Sequence, residues 1–239
     1  MKIGVFLNYI GLGSNLLHLS YCHQIAKKYG PVTIITLCEN LRMALEDDPL
    51  IENVIFIEGK KYRRLLDIIK LSKILKAHSF SKLYIFYPSI RTYLAAKLGN
   101  IKEVYSYSFF KKKKLHLVKA AKEFTEKYLK INNCPTESNL FISESKKKIA
   151  EKNINKNIYN IIIGAGSSGP TTKWGEKNYI NLINKLNLQD NYFFYILCGA
   201  NEKYLSDKII ENINKKNCIS LENKNISEII PLLSLCKMY

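Results

Sequence analysis

The stretch Lys2-Ile3-Gly4-Val5-Phe6-Leu7-Asn8-Tyr9-Ile10-Gly11-Leu12-Gly13-Ser14-Asn15 decides the fold class. Residues 3–8 read as a strand buried on both faces, the pattern of a parallel sheet. A turn with two glycines follows. Leu16, Leu17, Leu19, Tyr21 and Ile25 then recur near helical spacing over residues 14–29, with Ser14 as the expected N-cap and Gly30-Pro31 as the stop. Strand, glycine turn and helix make the first half of a βαβ unit.

The alternation continues outward. Strands are expected at residues 32–37, 54–57, 83–86 and 104–107, and helices at 41–46, 63–76, 91–98 and 115–129, which together make a doubly wound α/β layer. Between residues 131 and 158 the composition shifts to Asn, Ser, Lys and Glu around Pro135, with a short charged helix at 144–152. The boundary of two lobes is placed there, giving 1–152 and 153–239. The second lobe then reads as strand 159–164, helix 176–188, strand 192–198, helix 202–213 and helix 227–236. So few βα units leave an exposed sheet edge, and the second lobe is expected to be incomplete.

Composition narrows the class. At 47% hydrophobic and 24% charged residues over 239 positions, the chain matches a globular protein of two ordinary lobes. No apolar run approaches the roughly 20 residues that span a bilayer. Met1-Lys2 runs straight into the first apolar segment without a small-residue exit, so the expected location is cytoplasmic. Six cysteines, none in a C-x-x-C pair, speak against both a disulfide framework and a zinc site. The net charge of +17 favours phosphate-rich partners or an anionic membrane face, although Lys, Asn and Ile are abundant throughout and most lysines read as solvated surface. No recognised nucleic-acid-binding motif accompanies the charge, so nucleic acid is not an expected partner.

Two loops can carry chemistry. Gly11-Leu12-Gly13-Ser14-Asn15 sits between strand and helix, where backbone N–H groups can meet a ligand, or where a tight turn simply requires glycine. Gly164-Ala165-Gly166-Ser167-Ser168-Gly169 matches G-x-G-x-x-G letter for letter. A dinucleotide reading lacks the acidic residue roughly 20 positions on. The loop continues as Pro170-Thr171-Thr172-Lys173-Trp174-Gly175, a set of hydroxyls, one cation and one indole suited to a nucleotide diphosphate. Trp174 is expected to anchor the following helix rather than to stack on a ligand.

Taken in order, these stretches resemble family 9 glycosyltransferases, the lipopolysaccharide heptosyltransferases. That family opens with a strand and G-[IL]-G-D, where this chain has Gly11-Leu12-Gly13-Ser14, and later carries K-x-W-P, where it has Thr172-Lys173-Trp174-Gly175. Asp48-Pro49-Leu50-Ile51-Glu52-Asn53-Val54 resembles the family's N-P-x-I-x-x-V, Pro88-Ser89-Ile90-Arg91-Thr92 its S-x-R-[ST], and Leu197-Cys198-Gly199-Ala200-Asn201-Glu202 its G-x-x-x-E turn.

The resemblance implies a GT-B fold of two Rossmann-like doubly wound parallel-sheet lobes, the second incomplete. Residues 1–152 would bind the acceptor and 153–239 the nucleotide sugar. It implies an inverting, metal-independent bacterial enzyme that needs no cofactor. Such an enzyme moves sugar from ADP-heptose or a similar donor to a lipopolysaccharide core or another anionic surface glycolipid, with peripheral contact to the inner membrane face. Acceptor-side residues would be Gly11, Gly13, Asn15 and Arg91. Donor-side residues would be Gly166, Ser167, Ser168, Thr171, Thr172, Lys173, Gly199 and Glu202.

Three departures stand out. Ser14 replaces the family's aspartate base, and His18, one helical turn on, has an unperturbed pKa that would suit a base, although a histidine inside an apolar helix is more often a satisfied core residue. The family lysine falls on Thr172, with the cation moved to Lys173. The chain ends before the family's G-[ND]-[DS]-[GS]-P-x-H loop. The rival expectation is an inactive, truncated homologue that only binds anionic glycan, lipid or a partner chain.

Overall fold

The computed structural model describes residues 1–59, 67–108, 115–166, 173–188, 191–199, 202–213, 217–222 and 224–237. It divides into two compact units, Met1–Phe141 and Ile142–Tyr239.

In the first unit, β1 (Ile3–Leu7), β2 (Val32–Thr36), β3 (Ile51–Phe56), β4 (Lys82–Ile85) and β5 (Glu103–Ser106) form one parallel sheet in the order β3-β2-β1-β4-β5. β1 and β2 are buried at every position, whereas the outer strands β3 and β5 are not, so the central strands carry the cleanest apolar signal. Alternate residues feed two cores. Val5, Leu7, Ile34 and Phe86 face α2 (Leu19–Tyr29) and α6 (Leu117–Leu129) through Ile25 and Phe124. Phe6, Ile35 and Ile85 face α4 (Asp67–Ala77) and α5 (Ile90–Leu98) through Leu71 and Ala95. Helices therefore cover both sheet faces, and the strand order reverses at β1, where a doubly wound sheet opens a crevice at its carboxyl edge.

The second unit holds β6 (Tyr159–Gly164), β7 (Tyr192–Leu197) and β8 (Cys218–Ser220), parallel and in that order. β8 was not expected from the sequence, because three residues with one polar position give no periodicity to read. Ile161, Ile163, Phe194 and Ile196 pack on α8 (Glu176–Asn187) and α9 (Lys203–Glu211). Ile162, Tyr195 and Leu221 pack on α10 (Ile226–Leu235) and Ile154. After α10 the backbone turns extended at Cys236, and the Lys237 N–H donates to the Asn160 carbonyl at 3.0 Å, so the chain returns to the outer edge of β6.

Two expectations shift. The division falls after Phe141, not after residue 152, because α7 (Glu144–Lys152) packs against α10 and Ile154 joins the second core. The helix expected over 14–29 is two helices, α1 (Leu12–Leu16) and α2, broken at Leu17-His18. There the His18 N–H reaches the Asn15 carbonyl at 2.9 Å instead of Ser14, and the imidazole takes over the Ser14 carbonyl. The remaining helix, α3 (Leu41–Ala44), is a single turn.

Candidate functional site

The loop after β1 is held from below by Asn15. Its side chain is buried, its amide donates to the carbonyls of Tyr9 at 3.0 Å and Gly11 at 2.7 Å, and its oxygen accepts from the Thr36 hydroxyl at 2.7 Å. Thr36 in turn accepts from the Cys38 N–H at 3.0 Å. A central-strand hydroxyl is thereby tied to the first turn of α1. Asn15 is thus a positioning residue, its amide spent on the backbone rather than offered to a ligand. Gly11 is the N-cap, and Ser14 lies inside α1 without capping it.

His18 is fully buried. A carbonyl can only accept, so Nδ1 carries the proton to Ser14 O at 2.7 Å, which leaves Nε2 unprotonated and without a hydrogen-bond partner among the described residues. The ring stacks on Tyr9 at 4.7 Å and meets Phe86 edge-on at 5.4 Å. Burial lowers its pKa, with the Ser14 bond acting in the opposite sense. The imidazole pins the turn and is sealed away from any acceptor hydroxyl, so the structure does not support His18 as a base.

At the carboxyl edge of the same sheet lies a cavity of about 460 Å³. Asn8, Ile10, Glu58, Asp67 and Arg91 are among its walls. Ser89 caps α5 by accepting from the Thr92 N–H at 3.2 Å, which sets Arg91 in the helix's first turn. Among the described residues its walls carry the Arg91 guanidinium and the Glu58 and Asp67 carboxylates. Gly11, Gly13 and Ser14 are not among its lining residues, so Arg91 joins Asn8 and Ile10 rather than the glycine turn.

In the second unit the described donor-side residues converge at the ends of β6 and β7. Lys173 Nζ lies 2.7 Å from Glu202 Oε1, and the Gly199 N–H donates to Glu202 Oε2 at 3.3 Å. A Cβ on Gly166 would fall 2.2 Å from that same Oε2 and 3.1 Å from Gly199 N, so a side chain there would require the Glu202 carboxylate to move. Donating a hydrogen bond to Glu202 raises the Lys173 pKa, with desolvation acting in the opposite sense, so the ammonium stays charged. Tyr204 stands beside this pair and was not singled out from the sequence. Ser167, Ser168, Thr171 and Thr172 lie outside the described residues.

Gly175, at the N-cap of α8, has φ of +93°. Proline, locked near −65°, cannot take that conformation, so glycine where the resemblance expects proline belongs to a differently shaped entry into the helix. Trp174 rests edge-on against Tyr179 of α8 at 5.1 Å while staying half-exposed, an anchor on the helix surface rather than in the core.

The Asp48-Pro49 stretch also has a structural reason. Asp48 Oδ2 accepts from His23 Nε2 at 2.6 Å and Oδ1 from the Leu50 N–H at 3.0 Å, both inside the fold. Sequence reading missed this pair, since neither residue lies in an apolar or glycine pattern. Cys22, Cys38, Cys134, Cys198 and Cys218 are buried thiols, and Cys236 is half-buried. Among the described residues no cluster of His, Cys, Asp and Glu could hold a metal, and no helix is long and apolar enough to cross a membrane.

Comparison with known proteins adds to this geometry. A family model described as glycosyltransferase family 9 (heptosyltransferase) matches residues 100–239. E. coli ADP-heptose lipopolysaccharide heptosyltransferase II has a TM-score of 0.72 at 16% identity, over 100% of this chain and 78% of that one. A family 9 glycosyltransferase from Veillonella parvula scores 0.74 at 15% identity, over 98% and 74%. E. coli heptosyltransferase WaaC with ADP-2-deoxy-2-fluoro heptose scores 0.70 at 13% identity, over 99% and 81%. No curated protein sequence matches. At such identities the structural likeness establishes the fold, GT-B, alone.

Proposed function

The chain belongs to glycosyltransferase family 9 (heptosyltransferase), and from that premise we propose that it transfers a sugar from a nucleotide-sugar donor, ADP-heptose or similar, to a lipopolysaccharide core or another cell-surface glycan. The observation that carries the donor assignment is the cluster of Gly166, Lys173, Gly199 and Glu202 at the carboxyl ends of two parallel strands, where doubly wound sheets hold ligands. Lys173 would meet the diphosphate, with the hydroxyls of Ser167, Ser168, Thr171 and Thr172 as further donors. Glu202 would have to yield its bond to Lys173 when phosphate arrives.

On the acceptor side, the crevice beside Arg91 and the turn at Gly11 and Gly13 would receive an anionic glycolipid at the inner membrane face. In an inverting transfer the acceptor oxygen attacks the anomeric carbon, the bond to the nucleoside diphosphate breaks, and the hydroxyl proton must leave to a base. Ser14 stands where the family has aspartate and is a weak base at neutral pH. That substitution favours one second reading, an inactive homologue that binds anionic glycan, lipid or a partner chain.

Calorimetry with ADP-sugars tests donor binding. The expected outcome is binding that weakens at least tenfold in Lys173→Ala, while no heat with the wild-type chain sinks the proposal. Transfer to a lipopolysaccharide core acceptor separates the readings: product formation eliminates the inactive one, and donor binding without product selects it.

A further inference from the structure

Helix α5 carries an apolar face that is left exposed among the described residues. Ile90, Leu94 and Leu98, spaced four residues apart, are 53%, 45% and 60% exposed. At about 100° per residue they fall within an arc of roughly 80°, with exposed Lys97 on one side of it and exposed Arg91 on the other. The opposite side of the helix is spent on the core through Ala95 and Ala96.

Helix α4 packs alongside and extends the pattern. Its outward positions are Ile69, Lys70, Lys73, Lys76 and Ala77. Across the two helices the described residues include five cations, Lys70, Lys73, Lys76, Arg91 and Lys97, against one acid. That acid, Asp67, is buried and bonded to Lys70 at 3.2 Å.

We propose that the α4–α5 face docks on an anionic phospholipid surface, with Ile90, Leu94 and Leu98 entering the headgroup boundary and the flanking cations meeting lipid phosphates. An apolar stripe edged by Lys and Arg is the chemistry of an interfacial helix. A protein partner fits less well, since a stable interface buries about 800 Å² on each side, well beyond three half-exposed aliphatic side chains. The inference deepens the reading of a membrane-borne acceptor and rests on it, naming the surface by which the protein would approach that acceptor.

The test is co-sedimentation of the full chain with vesicles of equimolar phosphatidylglycerol and phosphatidylcholine, against vesicles of phosphatidylcholine alone. No donor or acceptor is present, so a failure here is distinct from a failure of transfer to a soluble, lipid-free acceptor. The wild-type chain is expected on the anionic vesicles and largely free with the neutral ones, since each cation near an anionic surface raises affinity roughly fivefold. Leu94→Gln/Leu98→Gln alters only exposed positions and should weaken binding roughly tenfold or more with an unchanged melting temperature. Lys73→Gln/Lys97→Gln keeps the stripe and should weaken it by a similar factor. Binding of the leucine variant equal to wild type would overturn the proposal, reducing it to diffuse attraction by net charge. Absence of wild-type binding to anionic vesicles, or a wild-type dimer that the leucine variant dissolves, would overturn it as well.

Discussion

Replacing Asn15 by alanine is expected to destabilise the first unit by roughly 2–4 kcal/mol, at about 1 kcal/mol for each of three buried hydrogen bonds plus the volume lost. The three bonds end on the Tyr9 carbonyl, the Gly11 carbonyl and the Thr36 hydroxyl. Gly11 keeps only the longer bond from the Asn15 backbone N–H at 3.3 Å, and the Thr36 hydroxyl loses its acceptor. Asn15→Asp preserves the shape but turns both donors into acceptors facing two carbonyl oxygens, so it should cost at least as much as alanine. Amide hydrogen exchange reads the effect in the strands themselves. The slowest amides of β1 and β2 should exchange roughly 30- to 1000-fold faster in Asn15→Ala, the same free energy expressed as a population of open states. If those amides stay within about threefold of wild type, the network is not holding the loop to the sheet, and the reasoning fails.

Gly166→Ala places a methyl group 2.2 Å from Glu202 Oε2, so Glu202 must leave its place beside Lys173, and ADP affinity measured by calorimetry should change at least tenfold; an unaltered affinity would separate Glu202 from the donor site. Asp48→Ala strands His23 and the Leu50 N–H, at a cost of about 3 kcal/mol and a melting temperature lower by roughly 6–12 °C, whereas a shift under about 2 °C would mean the pair contributes little. Because burial depresses the His18 pKa below its unfolded value near 6.5, the unfolded chain binds the proton first, and stability falls as pH drops below about 6.5. His18→Gln, which keeps a donor for the Ser14 carbonyl, should flatten that decline by up to about 1.4 kcal/mol per pH unit; identical acid-side slopes in denaturation curves would count against it.

The strands buried on both faces were legible because such positions select short runs dominated by apolar and β-branched residues. Ile3 to Leu7 and Val32 to Thr36 needed no tertiary information to be recognised, nor did the glycine turn that follows the first of them. The shared order of the motifs along the chain pointed to the family. β8 and the placement of α7 were not legible, because three residues carry no period and a charged nine-residue helix does not announce which sheet will bury its single apolar side.

The candidate site divides along the same line. Residue type and position after strands selected Gly11, Gly13, Gly166 and Lys173, and the resemblance to the family added Gly199, Glu202 and Arg91. Only the tertiary structure decided their partners: that Glu202 occupies the space of an absent Cβ at Gly166, that Asn15 is spent on backbone carbonyls, and that the His18 imidazole is sealed among aromatic rings. Residue type records which bonds a side chain is able to make. Which of them it makes depends on atoms brought near from distant parts of the chain, such as Thr36 beside Asn15, and that proximity is a property of the folded backbone.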